Sequence, residues 1–297
     1  MAISAELGER RTVTVRAGTL EYRERGSGPA IVFAHGAAVN GDLWRKVAPA
    51  LAADHRCIVV DLPLGGHSLP LRGDQDLSLY GCAEILASFL EALDLRDVTL
   101  IANDTGGAVA QALVGSRPER VGRLVLTSCD AFGNFPPKAV AYLKTVARST
   151  AALWLLTQAM RLRLAQRLPI AYGWATHRPI ERRIMDSFLH GLQTSPGVRR
   201  DFSHLLRGAD PADTIVAADG LRTFNRPALV AWAADDRFFP REHGERLAEL
   251  LPQGRFTLIE RSRTFIPEDN PEVLVALVRE FLGAAQTGGP IELRSAP

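Results

Sequence analysis

The 297-residue sequence predicts an α/β domain: a mostly parallel sheet with helices on both faces, interrupted by a helical insertion. Three observations predict it. Apolar strand-length runs alternate with helix-length amphipathic runs over residues 30–127 and again over 228–285, the pattern of strands joined by helical crossovers. The alternation stops between Phe132 and Thr214 and gives way to a helix-rich stretch. A polar tight turn, Ala102-Asn103-Asp104-Thr105-Gly106, follows one of the apolar strands directly and opens a small-residue helix.

The elements follow in order. Thr12–Val15 and Leu20–Arg25 read as a hairpin turning at Ala17-Gly18. Ala30–Ala34 is a short buried strand ending at His35-Gly36, and a helix is expected over Arg45–Ala53. Arg56–Val60 is another buried strand, followed by the Gly- and Pro-rich loop Leu62–Gly73. Leu79, Ala83, Leu86, Leu90 and Leu93 fall at helical spacing within Leu79–Leu95. Val98–Ala102, Gly106–Ser116 and Val121–Thr127 read as strand, helix, strand. After the insertion come the strand Ala228–Ala233, the helix Arg241–Leu251, the strand Phe256–Glu260 and the helix Pro271–Ala285. Asn270 as N-cap and Pro271 in the first turn suit that last start. The tail from Thr287 is expected to fray or dock lightly. Residues 1–132 and 214–297 therefore form a core, and 133–213 a helical cap.

Composition narrows the function. Hydrophobic residues make up 46 %, enough for a continuous core. The formal charge is only +2 and no dense Lys/Arg run appears, so nucleic acid is not an implied partner. Arg161, Arg163 and Arg167 are spaced like a solvated helix face. Cys57, Cys82 and Cys129 are few, odd in number and set among apolar residues, as reduced core cysteines are. No apolar run reaches the roughly 18 residues of a membrane helix, and the N-terminal residues carry no signal-like apolar segment. A cytoplasmic protein without a membrane partner is expected, and a homodimer is compatible with the sequence. No cofactor or metal is implied: no His/Cys cluster has ligand spacing and no G-x-G-x-x-G follows a strand.

The turn at Asp104 carries most of the chemistry. A nucleophile on so sharp a strand-to-helix turn needs small residues two positions before and two after it, and Ala102 and Gly106 stand there. The bland alternative is that Asp104 merely caps the helix. With Phe33-Ala34-His35-Gly36, Leu43–Val47, Val59–Pro63, Pro118–Leu126, the helical insertion and Ala231–Pro240, the pattern resembles the α/β-hydrolase superfamily. It is closest to the aspartate-nucleophile branch of haloalkane dehalogenases and epoxide hydrolases, and to hydrolase-like proteins carrying NDTGG, LPLG and TFIPED-type segments. The resemblance runs over about residues 12 to 285 and implies an eight-stranded sheet.

It also implies roles. Asp104 would attack carbon and form an ester. The amides of Thr105 and Ala37 would form the oxyanion hole, with His35 bracing its loop beside the substrate. Asp236, or alternatively Asp130, would be the acid partner. The triad histidine would fall in Glu260–Glu272, but its position holds Thr264, and no histidine occurs after His243. Without an imidazole the ester should accumulate. His67 is the leading replacement base; His177, His190 and His204 follow. A reaction using Asp104 as acid or base avoids the ester altogether. A Trp after the nucleophile and an Asn after His-Gly, which grip halide in dehalogenases, are here Thr105 and Ala37. Tyr142 and Tyr172 resemble the cap tyrosines of epoxide hydrolases, and Trp154 and Trp174 in the same insertion are further candidate substrate contacts. The expectation is an enzyme hydrolysing an epoxide- or ester-type, small and mostly apolar molecule. A dehalogenase, a lyase or isomerase, or a binding protein that lost turnover are the alternatives.

Overall fold

The computed structural model describes residues 2–73 and 75–287. Eight strands form one sheet: β1 (Glu9–Val15), β2 (Gly18–Arg25), β3 (Ala30–Ala34), β4 (Arg56–Val60), β5 (Val98–Asp104), β6 (Val121–Cys129), β7 (Ala228–Ala233) and β8 (Gly254–Ile259). Their order is β1-β2-β4-β3-β5-β6-β7-β8. β2 runs antiparallel to β1 and to β4, and the other neighbours are parallel.

The helices of the first half are α1 (Ala48–Leu51), α2 (Leu79–Ala92) and α3 (Thr105–Ser116). The insertion holds α4 (Tyr142–Val146), α5 (Thr150–Ala159), α6 (Arg163–Gln166), α7 (Arg182–Thr194) and α8 (Pro196–Gly208). Then follow α9 (Pro211–Gly220), α10 (Arg241–Leu250), α11 (Ile266–Asp269) and α12 (Pro271–Thr287).

The sheet is buried on both faces, which is why its central strands are continuous apolar runs rather than alternating ones. Val32, Leu100, Leu126 and Val230 point to the face covered by α2, α3, α9 and α10. Phe33, Ile101, Val125 and Leu229 point to the other, covered by α1 and α12. The free thiols of Cys57, Cys82 and Cys129 are buried in this core.

Three elements differ from expectation. The hairpin closes at Arg16 and Ala17, one residue early, because Val15 pairs with Gly18. The helix expected over Arg45–Ala53 shrinks to a 3-10 turn at Gly41–Trp44 and the single turn α1. Pro49 explains this, since proline carries no N–H and forces a helix to begin around it. α9 starts at Pro211, ahead of Thr214 where the alternation was expected to resume, and packs on α3. Of the expected tail, residues 288–297 lie outside the described residues.

Candidate active site

β5 passes straight into α3, and Asp104 is the hinge, with φ 54° and ψ −131°. A non-glycine residue is held in that region only when its surroundings over-determine it. The surroundings here are close backbone approaches. A side chain at Gly106 would run into the carbonyl oxygens of Ala34 and His35, one at Gly36 into the Asp104 carboxylate, and one at Gly107 into Cys129. These three glycines let the β3 loop and the helix start close around the aspartate.

Asp104 both caps α3 and faces a cavity. Its Oδ1 accepts the Thr105 amide at 2.7 Å, and Ala37 lines the same cavity as the carboxylate. Of the two amides expected near Asp104, that of Thr105 donates to its carboxylate. Burial, opposed by the hydrogen bonds from Thr105 and reinforced by nearby Asp236, lifts Asp104 from the ordinary carboxylate range to about 7.

The cavity between core and cap measures about 160 Å³, and its wall is mostly apolar. Phe238, Phe239, Phe265 and Leu189 contribute, while Asp104, Thr105, Thr264, Tyr142 and Tyr172 supply polar groups. Among the described residues, no histidine, lysine or arginine lines it.

Thr264 lies in the loop after β8. It is 1 % exposed, lines the cavity, and donates its hydroxyl to Asp236 Oδ1 at 2.9 Å. The same oxygen accepts the amides of Phe238 and Phe239 at 2.8 and 3.0 Å. Asp235, one residue earlier, turns away to His177 at the surface. Asp130 lies on the other side, accepting the Thr105 hydroxyl at 2.9 Å. Burial raises both, Asp130 well above its usual range with Asp104 adding repulsion. Asp130 Oδ1 and Asp236 Oδ2 are buried without a hydrogen-bond partner among the described residues.

His67 is not the replacement base. Its Nδ1 accepts the Gly65 amide at 3.3 Å and its Nε2 faces Asp201 of α8 at 3.3 Å, so the ring braces the cap. It is absent from the cavity wall. His35 does not touch substrate space either. Its Nδ1 donates to the Gly36 carbonyl at 2.8 Å and its Nε2 accepts the Leu62 amide at 2.9 Å. Complete burial lowers its pKa to about 4, which keeps the ring neutral and the loop fixed.

The cap aromatics divide. Tyr142 and Tyr172 reach the cavity, their hydroxyls donating to the carbonyls of Ile170 at 2.9 Å and Ala38 at 2.6 Å. Trp154 is 44 % exposed on the outside, and Trp174 packs on Phe238 beneath the Arg237 guanidinium. Neither tryptophan lines the cavity.

Asn103 escaped the sequence reading. Fully buried, it donates to the Thr264 carbonyl at 2.8 Å and to the Thr127 hydroxyl at 3.0 Å. It ties the turn at Asp104 to the loop holding Thr264. A polar residue ending an otherwise apolar strand was the available signal. Among the described residues, no three His, Cys, Asp or Glu side chains are grouped so as to hold a metal ion.

Comparison with known proteins agrees with this geometry. Residues 29–162 match the family model described as alpha/beta hydrolase fold. A 2-hydroxy-6-oxononadienedioate/2-hydroxy-6-oxononatrienedioate hydrolase of Cupriavidus pinatubonensis is 26 % identical, with 94 % of this chain and 96 % of that protein covered. A haloalkane dehalogenase of Mesorhizobium japonicum is 38 % identical, over 38 % of this chain and 36 % of its own length. The crystal structure of haloalkane dehalogenase DbeA from Bradyrhizobium elkani superimposes with a TM-score of 0.78 at 18 % identity, covering 95 % of this chain and 99 % of that one. Sheet order, the turn after the fifth strand and these likenesses make the chain an α/β-hydrolase-fold protein with haloalkane dehalogenase-like relatives.

Proposed function

We propose that this protein is a hydrolase that opens a small, mostly apolar epoxide or similar carbon–oxygen electrophile through an ester on Asp104. One observation carries the reading: a buried carboxylate held by the Thr105 amide faces an apolar cavity. Ionised Asp104 attacks carbon, and the carbon–oxygen bond breaks toward the leaving oxygen. That oxygen takes a proton from Tyr142 or Tyr172, whose hydroxyls both border the cavity. Water then attacks the carbonyl carbon of the ester, the bond from that carbon to the product oxygen breaks, and the departing oxygen takes the second proton of the water, so that the diol leaves and the Asp104 carboxylate is restored. The Thr105 amide, already on the carboxylate, and the amide of neighbouring Ala37 hold the oxyanion that develops. The first proton of the water passes through the Thr264 hydroxyl to Asp236, 2.9 Å behind it, and returns from there to the tyrosine. A hydroxyl relay to a carboxylate is a weaker base than imidazole, so ester breakdown limits the rate.

A second reading has its own support. A carboxyl group titrating near 7 is well placed as a general acid or base, with no ester formed.

Single turnover of styrene oxide in ¹⁸O water separates the two. Label in the Asp104 carboxylate after turnover supports the ester. Label in the product alone would move Asp104 to acid–base work. Neither adduct nor diol, across epoxides and alkyl halides, would leave a binding protein. Thr264→His should hasten ester breakdown by about 10² or more, and no acceleration would sink the relay.

A further inference from the structure

The cap carries a surface feature that the site does not use. From residue 131 to 180 there is no Asp or Glu, while seven Lys and Arg residues occur, more positive charge than the +2 of the whole chain. Six of the large exposed hydrophobics lie between residues 154 and 170: Trp154, Leu155, Leu162, Leu164, Leu168 and Ile170. Leu162 and Leu164 are 66 % and 77 % exposed. The stretch Arg161-Leu162-Arg163-Leu164 exposes its arginines as a solvated face would, but it exposes its leucines too. Arg163, Arg167 and Arg178 line a second cleft, of about 240 Å³, beside these leucines. Their side chains form no ion pair among the described residues. Ile170 is 47 % exposed and also lines the cavity over Asp104, so the patch adjoins the cavity wall.

We propose that the tip of the cap is a peripheral docking surface for an anionic phospholipid interface. The arginines of the cleft take headgroup phosphates, and Trp154, Leu155, Leu162 and Leu164 enter the boundary between headgroups and acyl chains. Charge complementarity selects this occupant. Lys and Arg near an anionic membrane add attraction residue by residue, and apolar side chains among them supply insertion. A second copy of this chain would bring the same positive face against this one, and repulsion opposes that contact. The contact needs no spanning helix, and no helix among the described residues is long and apolar enough to cross a membrane. Docking would set the cavity mouth against the phase in which an apolar substrate concentrates.

The test is sedimentation of the full chain with phosphatidylcholine vesicles, with and without 30 mol % (about one lipid in three) phosphatidylglycerol. Binding at least about tenfold tighter to the anionic vesicles, weakened by salt, is expected. Trp154 emission should shift to the blue on binding, and the shift should vanish in Trp154→Phe. Leu162→Ser with Leu164→Ser, and separately Arg163→Gln with Arg167→Gln, should each weaken binding about tenfold while circular dichroism stays unchanged. No sedimentation with either vesicle overturns the proposal. So does equal binding to both, or self-association in ultracentrifugation that the leucine variant abolishes. Protection of the cleft by inorganic phosphate without vesicle binding would make it a free-anion site and overturn it as well.

Discussion

Three carboxylates meet in one corner of this site, and burial lifts Asp104, Asp130 and Asp236 alike. For Asp104 the consequence is measurable. Its pKa is about 7 in the folded chain and about 4 in an unfolded one. Between those values the folded state binds a proton that the unfolded state has released. This group's contribution to stability is therefore full below about pH 4 and is lost as pH rises to about 7. Asp104→Asn should melt at a higher temperature than the parent at pH 8, and the gap should close toward pH 4. A gap independent of pH would show that Asp104 is not held protonated by its surroundings. Under the proposed ester mechanism, in which the ionised form attacks, kcat/KM of the parent should rise with pH through about 7.

At the scale of elements, the loop after β8 matters most, because it seats Thr264. Its backbone is tied to Asn103, and α11 behind it is fixed by Glu268, which pairs with Arg45. That pair is 7 % and 5 % exposed, with Lys46 reaching the same carboxylate at 2.8 Å. Glu268→Ala leaves the Arg45 guanidinium buried without its partner, which costs about 3 kcal/mol. Urea unfolding should show that loss, and a change under about 0.5 kcal/mol would mean that Arg45 finds other partners. The glutamate was visible in the sequence within TFIPED, but its partner lies 223 positions away and no local pattern connects them.

The whole molecule is a core and a cap joined by a few polar clamps over an apolar cavity. Arg263 of the core donates to the carbonyls of Gly173 and Thr176 in the cap, at 2.9 and 3.0 Å. Asp269 accepts the His177 amide at 2.9 Å, and the Tyr172 hydroxyl reaches Ala38. Arg263→Ala should loosen this seam without touching the sheet. Hydrogen exchange should speed in residues 173–178 and stay unchanged in β5 and β6. Uniform acceleration through the core would instead make Arg263 a global stabiliser.

All eight strands, the parallel core and the turn at Asp104 were legible in the sequence, because local physics dictates them. A strand buried on both faces must be a short apolar run, and a turn that tight admits only small neighbours. Thr264 was singled out only through the resemblance to a family whose triad histidine falls in Glu260–Glu272. What the sequence could not decide was which way the long polar and aromatic side chains of the cap and its supporting loop point. His67 was read toward Asp104 and faces Asp201; Trp154 and Trp174 were read into the cavity and lie outside it, while Tyr142 and Tyr172 reach it. A cap helix can turn its apolar stripe toward the core, the cavity or solvent, and periodicity marks the stripe without naming what it meets. Only the tertiary arrangement chooses, because the choice depends on partners such as Asp201, Ala38 and Phe238 that are distant in the chain and brought near by folding.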